Sequence, residues 1–215
     1  MNPTEAPSRC RIVLIAPPQI EAGRLIAALD GGDVASLILP GWEMDDDAFQ
    51  LYAERVVPAA QEHGVAVVIG ESSRVAMRTG ADGLHVETDR RELEEIIAKH
   101  QAKLMIGTGG ATNRDDALEL GEARPDYLFF GRFGYDNKPE PHPRNLKLGQ
   151  WWAEMVQVPC IVAGGVELDS ALTVAATGVE FVALSEAIFS GDRDPDESVA
   201  TVNAALDAQA PQLEG

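Results

Sequence analysis

Cysteine, positive charge and long apolar runs are all scarce in this chain of 215 residues. Its two cysteines, Cys10 and Cys160, lie in or beside predicted buried strands and are too few for a disulfide scaffold or a cysteine metal cluster. With 17 basic and 35 acidic side chains, the net charge of −18 disfavours a nucleic-acid or anionic-membrane partner. No segment approaches the ~20 apolar residues of a membrane span, and residues 1–9 lack the apolar core of a signal peptide. We therefore predict a cytoplasmic protein.

Short apolar runs alternate with amphipathic stretches along the whole chain. The runs that predict buried parallel strands are Arg11–Ala16, Val34–Leu39, Val65–Ile69, Gly83–Val86, Lys103–Gly107, Tyr127–Gly131, Cys160–Ala163 and Phe181–Leu184. Eight such units, at spacings of roughly 20 to 30 residues, are typical of a compact (β/α)8 TIM barrel. An open doubly wound sheet is the alternative, but the first turn, residues 16–19, lacks a glycine-rich dinucleotide fingerprint. We predict one α/β barrel domain over residues 10–208, with flexible ends at 1–9 and 209–215.

The last two predicted strands end in residues suited to a phosphate group. Gly164 and Gly165 let the backbone approach a ligand closely and present N–H groups, and Ser185 adds a hydroxyl after the final strand. In TIM barrels a phosphate site frequently lies after strands 7 and 8. Thr108 and Gly109, after predicted strand 5, form another small segment rich in N–H groups. These ends predict a phosphorylated small-molecule ligand, with a tight glycine turn and a helix-capping serine as the structural alternatives.

Ionisable candidates for chemistry follow predicted strands 4 and 6. Arg132 and Lys138 lie in the longest irregular segment, residues 132–145, where a binding loop could close over an anion. The alternative for Lys138 is a solvated loop lysine. His85 ends strand 4 and is either an acid–base group or a hydrogen-bonded core residue. We take His85, Lys138 and Arg132 as the catalytic candidates.

Three carboxylates lie where they could bind a metal. Glu71 follows predicted strand 3, and Glu87 and Asp89 follow predicted strand 4, so a barrel would bring them close enough to share Mg²⁺. We take Glu71 and Asp89 as the candidate metal ligands. The alternative is that each acid complements the positive end of the following helix.

Four stretches, in order along the chain, match the pattern of one family. They are Gly80-Ala81-Asp82-Gly83-Leu84-His85-Val86, Ile106-Gly107-Thr108, Asp126-Tyr127-Leu128-Phe129-Phe130-Gly131 with Lys138 after it, and Ala163-Gly164-Gly165-Val166 with Ala183-Leu184-Ser185-Glu186-Ala187-Ile188. The chain thereby resembles the thiamine phosphate synthases and the related thiazole tautomerases. The resemblance implies a TIM-barrel transferase of thiamine biosynthesis that joins a pyrimidine pyrophosphate to a thiazole phosphate, with Mg²⁺ as cofactor. It also implies that Gly164, Gly165 and Ser185 bind the thiazole phosphate and that Lys138 contacts the pyrophosphate.

The other half of the implied site departs from the family pattern. After strand 2 the family carries Q-L-R-x-K, whose two cations hold the pyrophosphate, whereas this chain reads Leu37-Ile38-Leu39-Pro40-Gly41-Trp42. After strand 3 the family's N-D-R becomes Gly70-Glu71-Ser72. After strand 4 its Gly-Gln becomes Glu87-Thr88, with Asp89 one residue earlier than the family's aspartate. Arg132 stands where the tautomerase relative is expected to carry its catalytic histidine.

Three hypotheses follow from this combination. The first is a thiamine phosphate synthase-like enzyme with altered pyrophosphate contacts. The second is a divergent relative that binds another phosphorylated heterocycle or sugar and transfers a proton, with His85 or Glu71 as base. The third is a non-catalytic binder of a phosphorylated ligand. A homo-oligomer is compatible with all three.

Overall fold

A computed structural model describes residues 8–135, 137–191 and 193–213. Its parallel strands close into one barrel in chain order, and the last strand pairs with the first. The strands are β1 (Arg11–Ile15), β2 (Val34–Leu39), β3 (Ala66–Gly70), β4 (Gly83–Val86), β5 (Met105–Thr108), β6 (Tyr127–Phe130), β7 (Cys160–Ala163) and β8 (Phe181–Leu184). The helices are α1 (Ala22–Ala27), α2 (Asp46–Glu62), α3 (Ser73–Thr79), α4 (Arg90–His100), α5 (Arg114–Glu122), α6 (Pro143–Met155), α7 (Ser170–Ala175), α8 (Glu186–Phe189) and α9 (Pro195–Gln209), with a 3₁₀ turn at Ala28–Gly31. The predicted (β/α)8 barrel is confirmed.

Polar residues at the starts of the helices satisfy the free N–H groups of the first turn. Asp45 accepts hydrogen bonds from two backbone N–H groups at the start of α2. Asn113 accepts from the N–H of Asp116 at the start of α5, at 3.0 Å. The final helix begins at Pro195, since proline is favoured in the first turn of a helix.

Apolar side chains fill the inside of the barrel, so it forms a core. The interior cluster consists of Val13, Ile15, Ile38, Val68, Tyr127, Phe129, Ile161 and Ala183. A second layer packs between the strands and the helices, where Trp152 of α6 is fully buried and donates its indole N–H to the Val158 carbonyl at 2.7 Å. Both faces of each strand are therefore covered, and this explains the unbroken apolar runs in the sequence.

At the end of the barrel opposite the candidate site, three acidic side chains form hydrogen bonds between neighbouring strands. Asp82 accepts from the N–H of Val67 at 2.8 Å, and Asp126 accepts from the N–H of Ile106 at 2.6 Å. Glu180 makes the equivalent bond to Cys160. Each acid precedes one strand and binds the start of its neighbour. The aspartates of the family-like Ala-Asp-Gly and Asp-Tyr segments thus have a structural role here.

The two ends of the described chain lie against each other. The Leu213 N–H donates to the Ser8 carbonyl at 2.8 Å, and Arg9 forms an isolated bridge with Gln212. Arg9 is buried and its guanidinium binds the Asp207 carboxylate at 2.7 Å. The flexibility predicted for residues 1–9 and 209–215 stays a prediction, and residues 1–7, 214 and 215 lie outside the described ranges.

Both cysteines are free and buried. Burial raises the pKa of the Cys10 thiol to about 12, so it remains protonated at neutral pH. Among the helices of the described ranges, none is both long and apolar enough to cross a membrane.

Candidate active site

The carboxyl ends of the strands gather the candidate residues at one end of the barrel, which we call the mouth. His85 lies in β4, Thr108 ends β5, and Arg132, Gly164 and Ser185 follow β6, β7 and β8. In TIM barrels this end carries the active site. Residues that are far apart in sequence therefore share one rim.

His85 lies inside the barrel directly below the mouth. Its side chain is fully buried, and its Nδ1 is 3.0 Å from the Tyr127 hydroxyl. The ring stacks on Tyr127 with a centroid distance of 5.7 Å and contacts Phe133 at 5.0 Å. Burial lowers the pKa of His85 to about 3, because the charged imidazolium loses its hydration. His85 is therefore a neutral, hydrogen-bonded ring at physiological pH, and its catalytic role stays a prediction.

One ring nitrogen of His85 has no partner among the described residues. The Nε2 atom is buried without a hydrogen bond. It faces Gly109, since a Cβ built on that glycine would lie 3.4 Å from Nε2 and 3.3 Å from a carboxylate oxygen of Glu87. The absent side chain at Gly109 thus leaves a small gap between an imidazole and a carboxylate. A buried polar atom without a partner is costly, so a ligand or water atom in this gap would be stabilised.

Glu71 and Glu87 form a carboxylate pair at the mouth. Glu71 accepts from the backbone N–H of Glu87 at 3.0 Å, and its own N–H donates to the His85 carbonyl at 2.8 Å. Glu71 has a φ of 58°, a left-handed conformation that is uncommon outside glycine. Partial burial raises the pKa of both carboxyl groups, and the charge of Glu71 raises that of Glu87 further. Two carboxylates that repel each other are suited to a shared cation or proton.

Asp89 lies apart from this pair in its hydrogen bonding. Its carboxylate accepts from the N–H of Glu92 at 3.0 Å and caps α4. The helix-capping alternative for Asp89 is therefore observed, whereas its role as a metal ligand stays a prediction. Glu87, which the sequence analysis considered beside Asp89 but did not take as a metal ligand, is the acid that lies next to Glu71. It replaces a glycine of the family pattern at the end of β4. Within the described ranges, no group of three or more histidine, cysteine, aspartate or glutamate side chains could hold a metal ion.

Aromatic residues occupy the side of the mouth where the family pattern has cations. Trp42 donates its indole N–H to the Ala16 carbonyl at 2.9 Å. Gly134 lies over the indole, since a Cβ there would be 3.1 Å from the ring. Phe133, from the loop after β6, packs on Phe129 with a centroid distance of 5.2 Å. The segment after β2 thus supplies an apolar contact for the loop after β6.

The described residues of the loop after β6, 131–135 and 137–142, contact the end of β7. The Val166 N–H donates to the Lys138 carbonyl at 2.8 Å. A Cβ on Gly165 would lie only 2.1 Å from the Pro139 carbonyl oxygen, so only glycine permits this approach. The Gly165 N–H donates to the Ser170 hydroxyl at 3.0 Å. The glycine pair therefore seats this loop.

The remaining phosphate candidates differ in accessibility. The Gly164 N–H donates to the Ala183 carbonyl at 2.9 Å, and the buried Thr108 hydroxyl donates to the Val86 carbonyl at 2.8 Å. Ser185 is buried and precedes α8 without a side-chain capping bond. It lines a cavity of about 340 Å³ together with residues from the β1, β2, β6 and β7 ends. Phosphate binding by these residues stays a prediction.

Arg132 and Lys138 line a second, larger cavity of about 520 Å³, which we call the α6 cavity. It extends from Gly131 and Ala163 at the barrel mouth to the first turn of α6. The Arg132 guanidinium stacks on the Tyr135 ring, 4.2 Å from its centroid. Lys138 is exposed and forms no ion pair with another described residue. The two predicted cations therefore face the same space, and their catalytic roles stay predictions.

Comparison with known proteins assigns the chain to a family. The sequence profile described as thiamine monophosphate synthase matches residues 12–188. The chain belongs to the thiamine monophosphate synthase family. It is 31% identical to the thiamine-phosphate synthase of Rhodospirillum centenum over 92% of this chain and 98% of that protein. It is 32% identical to the thiamine-phosphate synthase of Hyphomonas neptunium over 94% of this chain and 96% of that protein.

The fold of this family member also matches solved structures. The thiamine phosphate pyrophosphorylase of Pyrococcus furiosus superposes with a TM-score of 0.76 at 20% identity, covering 92% of this chain and 96% of that one. At that identity the match shows the fold alone. The family resemblance predicted from the four sequence stretches is confirmed, and Glu71, Glu87 and Trp42 mark where this member departs from the pattern.

Proposed function

We propose that this protein is a thiamine phosphate synthase. The observation that carries the proposal is family membership. The family profile matches almost the whole barrel, and the chain aligns with nearly the full length of the related thiamine-phosphate synthases. The reaction breaks the bond between the pyrimidine methylene carbon and a pyrophosphate oxygen, and the electron pair leaves with pyrophosphate. The thiazole nitrogen then bonds to that carbon. Catalysis of this kind consists mainly of charge placement around the leaving group.

The carboxylate pair fits a role in binding Mg²⁺. In proteins Mg²⁺ commonly uses one or two carboxylates, several waters and substrate phosphates, and Glu71 and Glu87 would supply those carboxylates. When bound, the ion would neutralise charge on the pyrophosphate. Partial burial raises the pKa of both carboxyl groups, and the charge of Glu71 also raises that of Glu87, so a bound cation would stabilise both charged forms. Glu87 takes the place in this proposal that the sequence analysis gave to Asp89.

His85 would act through its neutral ring. With a pKa of about 3 it carries no charge at neutral pH, so the unpaired Nε2 would form a hydrogen bond to substrate and would not transfer a proton. Ser185 and the Gly164–Gly165 backbone would lie beside the thiazole phosphate, as the family pattern implies. The N–H groups of Gly164 and Gly165 already donate to partners within the protein. Other N–H groups nearby would therefore have to bind the phosphate.

The test is synthesis of thiamine phosphate from thiazole phosphate and pyrimidine pyrophosphate, with and without Mg²⁺. Product formation that depends on Mg²⁺ supports the proposal. Glu87→Gln should lower kcat/KM at least tenfold and weaken Mg²⁺ activation. Glu95→Gln is the matched control, because Glu95 is an exposed acid on α4 whose only described partner is Arg91. Equal effects of the two substitutions would remove the metal-binding assignment from Glu87.

The same experiment separates the alternative hypotheses. Binding of thiazole phosphate without product would refute synthase activity and favour a non-catalytic binder. Conversion of a single phosphorylated ligand without Mg²⁺ would favour a proton-transfer enzyme. The cytoplasmic location and the homo-oligomer stay predictions. Gel filtration with light scattering tests whether the protein is a homo-oligomer.

A further inference from the structure

The α6 cavity concentrates positive charge in a strongly acidic protein. Arg132, Lys138 and Arg144 line it, although the chain has 17 basic residues and a net charge of −18. None of the three forms an ion pair with a described residue. Glu140 supplies the one carboxylate among the described lining residues. All three side chains are exposed, and the charge of Arg132 also lowers the pKa of Glu87. Three cations around one cavity attract an anion to it.

Asn145 adds a second, independent feature of a ligand site. It is only 8% exposed, it lines the same cavity, and its side-chain amide has no hydrogen-bond partner among the described residues. The amide atoms of Asn145 are not among the fully buried side-chain atoms that lack a partner, so they reach the open space of the cavity. They can therefore donate to or accept from a ligand there.

The backbone at this helix start is already used, so the side chains must provide the donors. The His142 ring accepts from the Arg144 N–H, and the His142 carbonyl accepts from the Asn145 N–H at 2.9 Å. Pro143 has no N–H. Two guanidinium groups, one ammonium and one amide remain as donors for an anion, and guanidinium groups suit the paired oxygens of phosphates.

The cavity has the size and position for a pyrophosphate. Its volume of about 520 Å³ falls in the ~300–1,000 Å³ range of small-molecule pockets. One end opens at Gly131 and Ala163 beside the barrel mouth, and the other lies at Arg144. A leaving group in the cavity would therefore have its reacting carbon at the mouth.

We propose that the α6 cavity binds the pyrophosphate group and that Arg144 and Asn145, with Arg132 and Lys138, replace the cations missing after β2. This inference rests on the proposed function, since that function supplies the pyrophosphate. It assigns to α6 a part of the site that the family motifs do not include.

The test measures binding of inorganic pyrophosphate by calorimetry at 0.15 M salt, where the Debye length is about 8 Å and distant charges are screened. Arg144→Gln should weaken binding about tenfold, or about 1.4 kcal/mol. Asn145→Asp should weaken it at least as much, and Glu140→Gln should strengthen it several-fold. Lys147→Gln is the matched control, because Lys147 is an exposed cation on the same helix outside the cavity. It should change the affinity less than twofold.

The opposite effects of Arg144→Gln and Glu140→Gln exclude loss of folding as the cause, and thermal unfolding checks the Asn145 variant. Orthophosphate and thiazole phosphate, titrated separately, show whether the cavity prefers a diphosphate. Equal effects of Arg144→Gln and Lys147→Gln, or no pyrophosphate binding by the wild type, would overturn the inference. Pyrophosphate binding without thiamine phosphate synthesis would leave the inference standing and refute the proposed function. Synthesis unaffected by Arg144→Gln would refute the inference and leave the proposed function standing.

Discussion

Replacing Gly165 with alanine should detach the loop after β6 from the end of β7. The new Cβ would lie 2.1 Å from the Pro139 carbonyl oxygen and 2.7 Å from the Lys138 carbonyl oxygen. Both obstacles are backbone atoms, so no side-chain rotation relieves the contact. To reach an ordinary separation of 3.4 Å, the loop must retreat by about 1.3 Å. The clash is purely steric, because Gly165 does not have the left-handed φ that would itself require glycine.

The cost follows from the bonds that this retreat would break. The Val166 N–H and the Lys138 carbonyl oxygen are 2.8 Å apart, and the parallel bond from Glu167 to Pro139 is 3.4 Å. A hydrogen bond contributes about 0.5–1.5 kcal/mol net, so losing both destabilises the docked loop by about 1–3 kcal/mol. That range agrees with the ~1–3 kcal/mol typical of overpacking.

Hydrogen exchange at the Val166 amide is the direct assay. A loss of 1.4–2.8 kcal/mol should increase its exchange rate about ten- to a hundredfold, since each 1.4 kcal/mol is a factor of ten. The melting temperature should fall by about 4–8 °C for a 2 kcal/mol loss in a domain of this size. Gly23→Ala is the control: a Cβ there meets nothing within 4 Å, and alanine in α1 should stabilise by ~0.5–1 kcal/mol. Unchanged exchange at Val166 in Gly165→Ala would refute the described packing of the loop.

Three further predictions concern the mouth and the barrel interior. Glu87→Gln should stabilise the protein at pH 7, because an acid whose pKa is raised on folding destabilises the folded state at every pH above its unfolded-state pKa. The gain should disappear below about pH 4, and equal melting curves at pH 7 would contradict the prediction. NMR should show that the His85 ring stays neutral from pH 7 to below 5. Its contribution to the free energy of unfolding should decline as the pH falls from 6.5 toward 3, because only the unfolded chain is then protonated. A ring that titrates near pH 6.5 would show that it is not buried. Gly107→Ala should cost more than 3 kcal/mol by urea unfolding, because its Cβ would lie 1.9 Å from the Tyr127 ring. That cost should nearly vanish in a Tyr127→Leu background, and an equal cost in both backgrounds would exclude the clash as its cause.

The order of the barrel could be predicted from the sequence because parallel strands buried on both faces require continuous apolar runs. The predicted run Gly83–Val86 coincides with β4, and Cys160–Ala163 and Phe181–Leu184 coincide with β7 and β8. Strand limits shifted where a predicted run began with a polar residue: Lys103 opens the run Lys103–Gly107 but lies outside β5.

Several motif residues proved to support the fold. Gly107 makes room for the Tyr127 ring, and Asp82 and Asp126 fasten neighbouring strands at the far end of the barrel. Sequence patterns alone could not separate these structural residues from ligand-binding ones, since both kinds belong to the same family-like segments. Their separation required knowing which end of the barrel each side chain occupies.

The sequence by itself determined the fold, the family and the rim of candidate residues, because these depend on apolar periodicity and on motif order along the chain. Only the tertiary structure decided which charges meet. It placed Glu71 against Glu87 at the ends of neighbouring strands, and it brought Arg144 and Asn145 of α6 into one cavity with Lys138 and the end of β7. Such contacts join residues from different strand ends, loops and helices. The distances between them are set by how the chain packs, which local sequence does not encode.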